Sequence, residues 1–279
     1  MSPPTLRQAL DQLGALPPIP HIAQQILALR ITSDANERAL LDLIEQDPPI
    51  LAKIVGLANS PLYGTSRRIL SLHDAVAILG QRRVKMVALS FAMMSSMFRK
   101  ASGHLDIDGL WQHSLAVAMA MDTLARQMPP AQRPEDDALY LAGLLHDIGF
   151  LVLDHVDPEL SDRFHARLAS ETAQPIETVE AEMLATSHGE LGAELARHWN
   201  LPEPTPGVLR HHHDPAQAPA AAQPLATMIH IAEQLLPTFG IAEPVPPQIA
   251  PEAWQALGID PARADEVKVR VLQQVRGMD

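Results

Sequence analysis

Gly143-Leu144-Leu145-His146-Asp147-Ile148-Gly149 sets an adjacent histidine and aspartate inside an otherwise apolar run. Leu144, Leu145, Ile148, Leu151 and Val152 recur at helical spacing, and the pattern predicts one buried helix over 137–153. Neither side chain belongs in a core unpaired, and burying the two costs several kcal/mol unless each is hydrogen-bonded or metal-bound. A plain buried His-Asp hydrogen bond and a metal site both meet that demand, and the heptad alone leaves the two open.

Outward from this run the periodicity stays helical, and the fold class it predicts is all-α. Pro20 suits the first turn of a helix over 19–29, and Asp34-Ala35-Asn36-Glu37 opens another. Asp47 caps a helix over 49–58, with Pro48 beside the cap. Ser71 caps 72–79 and Gly80 closes it. A methionine-rich apolar helix is expected over 84–98, as core filling or as a re-packable contact surface. Further helices are expected over 110–128, 158–169, 176–185, 188–198, 208–213 and 220–236. After a Pro-rich link over 244–251 comes a weak helical tail over 261–275. Gly103 to Asp108 is a plausible hinge.

Composition removes several function classes. The 279 residues include no cysteine, which excludes disulfides, thiol catalysis and zinc–thiolate sites, so any metal must be held by imidazole and carboxylate. A formal charge of −12 argues against general nucleic-acid binding. No apolar run approaches the ~20 residues that span a bilayer, and the N-terminus has no signal pattern, so a cytoplasmic protein without membrane partners is expected. Between Lys53 and Lys100, Arg67, Arg68, Arg82, Arg83, Lys85 and Arg99 face one acid, Asp74. Such an excess suits an acidic partner or a phosphate ligand, or simply a solvated helix face.

His113 follows Trp111 on a helix whose buried face is marked by Leu110, Val117 and Met121. His188 stands at a helix start after Ser187, and His212-His213 precede a turn at Asp214-Pro215. Each has an ordinary explanation as a core, capping or surface residue. His21, His73, His104, His155 and His165 fall at helix ends or polar positions, where surface or capping roles suffice. Taken in order on different helices, however, His113, His146-Asp147, His188 and His212-His213 form a joint signal for a metal site.

That order resembles the HD superfamily of metal-dependent phosphohydrolases, and more specifically an HDOD (HD-related output) domain. The resemblance extends through Leu16-Pro17-Pro18-Ile19-Pro20, Ile44 to Pro48, Leu57 to Gly64, Ala77 to Gly80 with Arg82-Arg83-Val84, Trp111 to Ser114, and Trp199 to Glu203. It covers about 16–236. It implies a helical N-terminal lobe over 16–104 packed on a degenerate HD-type lobe over 105–240, with 1–15 and 241–279 as flanking segments. It also implies a role in bacterial signal transduction through a protein partner, in modules generally regarded as non-catalytic. The ligand set it implies is His113, His146, Asp147, His188 and His212, with His213 and Glu233 as further positions.

Two departures bear on chemistry. Asp214-Pro215-Ala216-Gln217 stands where related cyclic-di-GMP phosphodiesterases carry a Gly-Tyr-Pro segment, which argues against that activity. Glu233 stands where aspartate is usual, and its extra methylene moves the carboxylate by ~1.5 Å. The favoured expectation is therefore a signalling output or scaffold module without turnover, with a structural metal at the site. The methionine-rich helix and Arg67, Arg68, Arg82 and Arg83 are its candidate contact features. The alternative is a phosphohydrolase in which Asp147 bridges ions and holds the attacking hydroxide. Histidine with carboxylate suits iron, manganese, zinc or nickel.

Overall fold

The computed structural model describes residues 16–29, 34–60, 63–65, 67–98, 103–171, 174–237 and 249–275. Among these it holds fifteen α-helices, three short 3-10 turns and no strand, as the helical periodicity predicts. The segment 1–15, Pro61 and Leu62 of the 57–64 motif, Arg99 and Lys100 of the basic group, and most of the Pro-rich link lie outside the described residues. The chain divides into two compact units. One takes in Met97–Gln274 with the chain up to Pro18, and the other Ile19–Ser96 with the chain from Val275.

The smaller unit contains α1 (His21–Ala28), α2 (Asp34–Glu45), α3 (Pro48–Ala58), α4 (Leu72–Leu79) and α5 (Gln81–Ser95), with α5 packed against the other four. The predicted caps form. Asp47 Oδ1 accepts from the Ile50 N–H, and Ser71 Oγ accepts from the Asp74 N–H. Each satisfies a first-turn donor that no helical carbonyl reaches. Gly80 closes α4 at φ +80°, a conformation that favours glycine. The methionine-rich helix starts three residues earlier than its apolar pattern suggested, and Met86, Met93, Met94 and Met97 are all buried. That stripe is core filling, not a presented surface.

The larger unit begins with α6 (Ile107–Gln127), then α7 (Asp136–Leu145), α8 (Ile148–Val156), α9 (Pro158–Ser170), α10 (Ile176–Met183), α11 (His188–His198), α12 (Thr205–His211) and α13 (Gln223–Leu235). It continues through α14 (Pro251–Ala256) and α15 (Ala264–Val275). The main packing pairs are α6 with α7, α8 with α11, and α11 with α12, and α13 closes against α6 and α12. Asn200, φ +51°, terminates α11 in the left-handed region at the predicted stop. Pro251 opens α14 as a first-turn proline, and Trp254, Leu257, Val267 and Val271 of the C-terminal helices are buried.

One expectation needs correction. The helix predicted over 137–153 is two helices, α7 and α8, bent by 42° at His146-Asp147. Apolar residues continue on both sides because both helices are buried, so the hydrophobic pattern carries no trace of the bend.

Candidate metal centre

The break at His146-Asp147 turns the pair from a divergent into a convergent one. Neighbours on a continuous helix point about 100° apart. Asp147 instead adopts φ −99°, ψ 12°, the sparsely populated bridge region, and its carboxylate comes within 3.2 Å of His146 Nε2.

Three close backbone approaches bring the other elements in, and each requires a glycine. A Cβ on Gly143 would stand 2.7 Å from the Ala118 Cα on α6, and one on Gly149 would stand 1.8 Å from the His188 carbonyl oxygen. One on Gly189 would stand 2.7 Å from the Leu209 carbonyl oxygen. The heptad's two glycines thus let α7 close on α6, which carries His113, and α8 close on α11, which begins with His188.

All seven sequence-predicted positions meet in one cluster. His113 Nε2 lies 3.2 Å from His146 Nε2 and 3.5 Å from Asp147 Oδ2. On the other side, His188 Nε2 and His212 Nε2 lie 3.5 and 3.6 Å from Asp147 Oδ1 and 3.0 Å from each other. His213 Nε2 is 3.1 Å from His188 Nε2. Glu233, projecting from α13, places Oε1 3.4 Å from His146 Nε2 and 4.0 Å from His212 Nε2. The side chains of His113, His146, Asp147, His188, His212 and Glu233 are at most 5% exposed, while His213 is 19% exposed and forms the outer edge.

The ring tautomers follow from the outer partners. His146 Nδ1 lies 2.9 Å from the Gly143 carbonyl and His212 Nδ1 2.7 Å from the Leu209 carbonyl; a carbonyl only accepts, so both Nδ1 atoms carry the proton. His188 Nδ1 donates to Glu180 Oε1 at 2.6 Å, and the same oxygen accepts from the His188 backbone N–H. No local pattern singles out Glu180, which lies on a neighbouring helix and is buried. In each neutral ring Nε2 then presents a lone pair to the centre. The lone pairs of His188 and His212, 3.0 Å apart, repel, and the buried Asp147 oxygens face imidazole nitrogens at 3.2–3.6 Å. The interior therefore calls for positive charge, as protons or as a metal cation.

Electrostatics in the metal-free state carry the same demand. Burial pushes the His146 imidazole down, but the adjacent Asp147 and Glu233 carboxylates outweigh it and raise the pKa to about 9. Burial pushes the Asp147 carboxyl up, while His146, His113 and His188 hold it well below its ordinary value. Burial lowers His188 and the Glu180 carboxylate raises it, for a net upward shift. His212 is held well below its ordinary value by burial and by the surrounding imidazoles.

The donor set fits a divalent ion. Donors about 2.1 Å from one ion stand about 3.0 Å apart at right angles and about 3.4 Å apart in a tetrahedron. The cluster's spacings of 3.0–3.6 Å run from that range to just above it. Three triads have ligand atoms within 4.8 Å of one another: His113, His146 and Glu233; Asp147, His212 and Glu233; and His188, His212 and His213. His165 departs from its expected surface role: it packs edge-on against Phe150, which stacks on His188 at 4.3 Å.

The family model described as HDOD domain matches residues 16–215. The chain belongs to the HDOD family. An uncharacterized protein of Treponema pallidum (strain Nichols) is 26% identical over 226 residues, which are 81% of this chain and 43% of that protein. A crystal structure of a Marinobacter aquaeolei VT8 protein named for signal transduction is 27% identical, with a TM-score of 0.76, covering 100% of this chain and 60% of that one. An HDOD domain protein of unknown function from Geobacter sulfurreducens is 27% identical, with a TM-score of 0.71, covering 95% of this chain and 96% of that one. The chain thus spans under two thirds of the Treponema and Marinobacter proteins it matches. Among the described residues no single helix is long and apolar enough to cross a membrane.

Proposed function

We propose that this HDOD chain is a signal-transduction output module that acts by binding a partner protein, without turnover, and whose HD-type cluster holds a divalent metal as a structural clamp. The observation that carries the reading is burial. Six of the seven donors are at most 5% exposed, and the seventh, His213 at the outer edge, is 19% exposed. A catalytic metal site keeps a coordination position open to substrate, whereas a structural one is closed by protein. When bound, a divalent ion would neutralise the two buried carboxylates and accept the inward lone pairs. His113, His146 and Glu233, or Asp147, His212 and Glu233, would hold it, the first triad tying α6, the α7–α8 break and α13 together and the second the break, the end of α12 and α13. The likeness to the Marinobacter protein named for signal transduction and the absence of a Gly-Tyr-Pro segment after His213 support the same reading.

One observation favours a phosphohydrolase instead. Asp147 turns Oδ2 toward His113 and His146 and Oδ1 toward His188 and His212, the arrangement of a carboxylate that bridges two ions. Elemental analysis of chelator-free protein and of His146→Ala separates the readings, together with a phosphodiester and nucleotide screen that includes bis-p-nitrophenyl phosphate and cyclic-di-GMP. Near-stoichiometric metal lost in the variant, with no hydrolysis by either protein, is the expected result. Hydrolysis that disappears in His146→Ala would overturn the output-module reading, and protein that takes up no iron, manganese, zinc or nickel would overturn the clamp.

A further inference from the structure

The smaller unit carries a cavity of about 350 Å³ between the 63–69 segment and the outer face of α4. It lies at the lower end of the roughly 300–1,000 Å³ typical of binding pockets. Its walls are mixed: the Tyr63 ring, Ile69, Ala77 and Ile78 make the apolar part, and Gly64, Thr65, Arg67 and Asp74 complete the lining. Apolar surface continues outside it. Leu70 is 76% and Ile78 40% exposed, two of the large hydrophobic side chains that the described residues leave in solvent.

The cavity is held in shape by polar contacts. The Asn59 side chain donates to the Val55 and Ile69 carbonyls and accepts from the Ile69 N–H, which locks the segment entering α4 to the end of α3. Arg83 donates to the Tyr63 hydroxyl and lies 5.8 Å over its ring, fixing that wall. Arg67 bridges to Asp74, and the Asp74 N–H is tied to the Ser71 cap. A preformed depression costs little ordering on binding.

We propose that this cavity is a docking site for an acidic segment of a partner protein, which inserts one apolar side chain against Ile69 and Ile78 and lays its carboxylates on Arg67 and Arg68. Charge complementarity selects an acidic occupant. In the sequence eight cations and one acid lie between Lys53 and Lys100 of a chain whose net charge is −12; Arg67 lines the cavity, and Arg68, the next residue, is exposed. Like charge disfavours a basic segment here. The apolar part of the lining and the exposed Leu70 select a protein over a small anion. A phosphate needs converging donors, and Arg67 is the single cation among the residues that line the cavity. The proposal rests on the output-module reading; metal content and turnover test that reading, whereas the titration below tests this surface alone.

Fluorescence anisotropy of the full chain with three labelled peptides provides the test: an acidic peptide with a central leucine, the same peptide with alanine in its place, and a lysine-rich peptide keeping the leucine. The acidic leucine peptide should bind, more weakly as salt rises, with the other two at least about tenfold weaker. Ile78→Glu should weaken it by about tenfold, and Arg68→Glu by roughly fivefold. Ile78→Gln serves as a second variant if thermal melting shows that Ile78→Glu is unfolded. Equal binding of all three peptides, no binding of the acidic leucine peptide, or affinity unmoved by the variants overturns the proposal. Displacement of the peptide by inorganic phosphate would also overturn it, by making the site an anion pocket, as would self-association of the chain through this face in sedimentation.

Discussion

Replacing Glu180 by alanine perturbs the metal centre without removing a ligand. Glu180 is 2% exposed, and its Oε1 receives two donors of His188, the backbone N–H and the ring Nδ1–H, both at 2.6 Å. The first is a first-turn donor of α11 that no helical carbonyl can satisfy, at the end of the helix where the dipole favours negative charge. The second sets the tautomer that points Nε2 inward. Alanine leaves both donors buried and unpaired, at about 1–3 kcal/mol each, partly offset because a buried carboxylate is no longer desolvated. A net loss of about 3 kcal/mol is expected. Glutamine keeps an acceptor oxygen but loses the charge, so Glu180→Gln should lose about 1–2 kcal/mol.

Urea unfolding of chelator-treated protein reads the stability. Competition with a chromogenic chelator reads metal affinity, which should fall about 10–100-fold in the alanine variant and less in the glutamine variant. If Glu180→Ala unfolds within about 0.5 kcal/mol of the parent and keeps its metal affinity, the reasoning is wrong. His188 would then be oriented by its stacking on Phe150, whose ring lies at 4.3 Å and 22°.

Gly149→Ala should cost about 3 kcal/mol and deplete bound metal, because its Cβ would lie 1.8 Å from the His188 carbonyl oxygen and α8 would have to leave α11. Helix propensity alone predicts a gain of about 1 kcal/mol, so a stabilised variant in urea unfolding would refute the close-approach argument. Metal affinity should rise with pH up to about 9, since the raised His146 holds a proton that the ion must displace; calorimetry in buffers of different ionisation enthalpy should report its release. The same shift, from an unfolded value near 6.5, stabilises the metal-free protein fully below that pH, and this contribution should be lost as pH rises through about 9 in chelator-treated unfolding experiments. Glu233→Asp withdraws the carboxylate by ~1.5 Å from imidazoles now 3.4 and 4.0 Å away and should weaken metal binding by chelator competition; tighter binding would show a site shaped for aspartate.

What the chain discloses by inspection follows the range of the forces involved. Asp47 and Ser71 announce α3 and α4 because a cap is a contact over three residues. The stop at Asn200 is equally local. The bend at His146-Asp147 is not, because 139–153 is buried without interruption and presents no polar face whose phase could slip. Glu180 is hidden for a related reason. A glutamate in α10 looks like any solvated helix residue until folding brings α11 against it and leaves the carboxylate 2% exposed.

Glu233 shows where a rule of thumb about length fails. One extra methylene on a fixed backbone misplaces a ligand, and on that basis the position looked damaged. The carboxylate instead reaches the space between His146 and His212, nearer the first, and Oε2 comes within 3.9 Å of His213 Nδ1. Reach depends on where α13 sits as much as on the side chain it carries, and α13 is set by its packing on α6 and α12. At the distance that packing sets, glutamate brings its carboxylate among the imidazoles. Glu233 therefore supports the proposed cation site, and the proposal that the metal only holds the helices together rests on the burial of the donors rather than on this departure from aspartate.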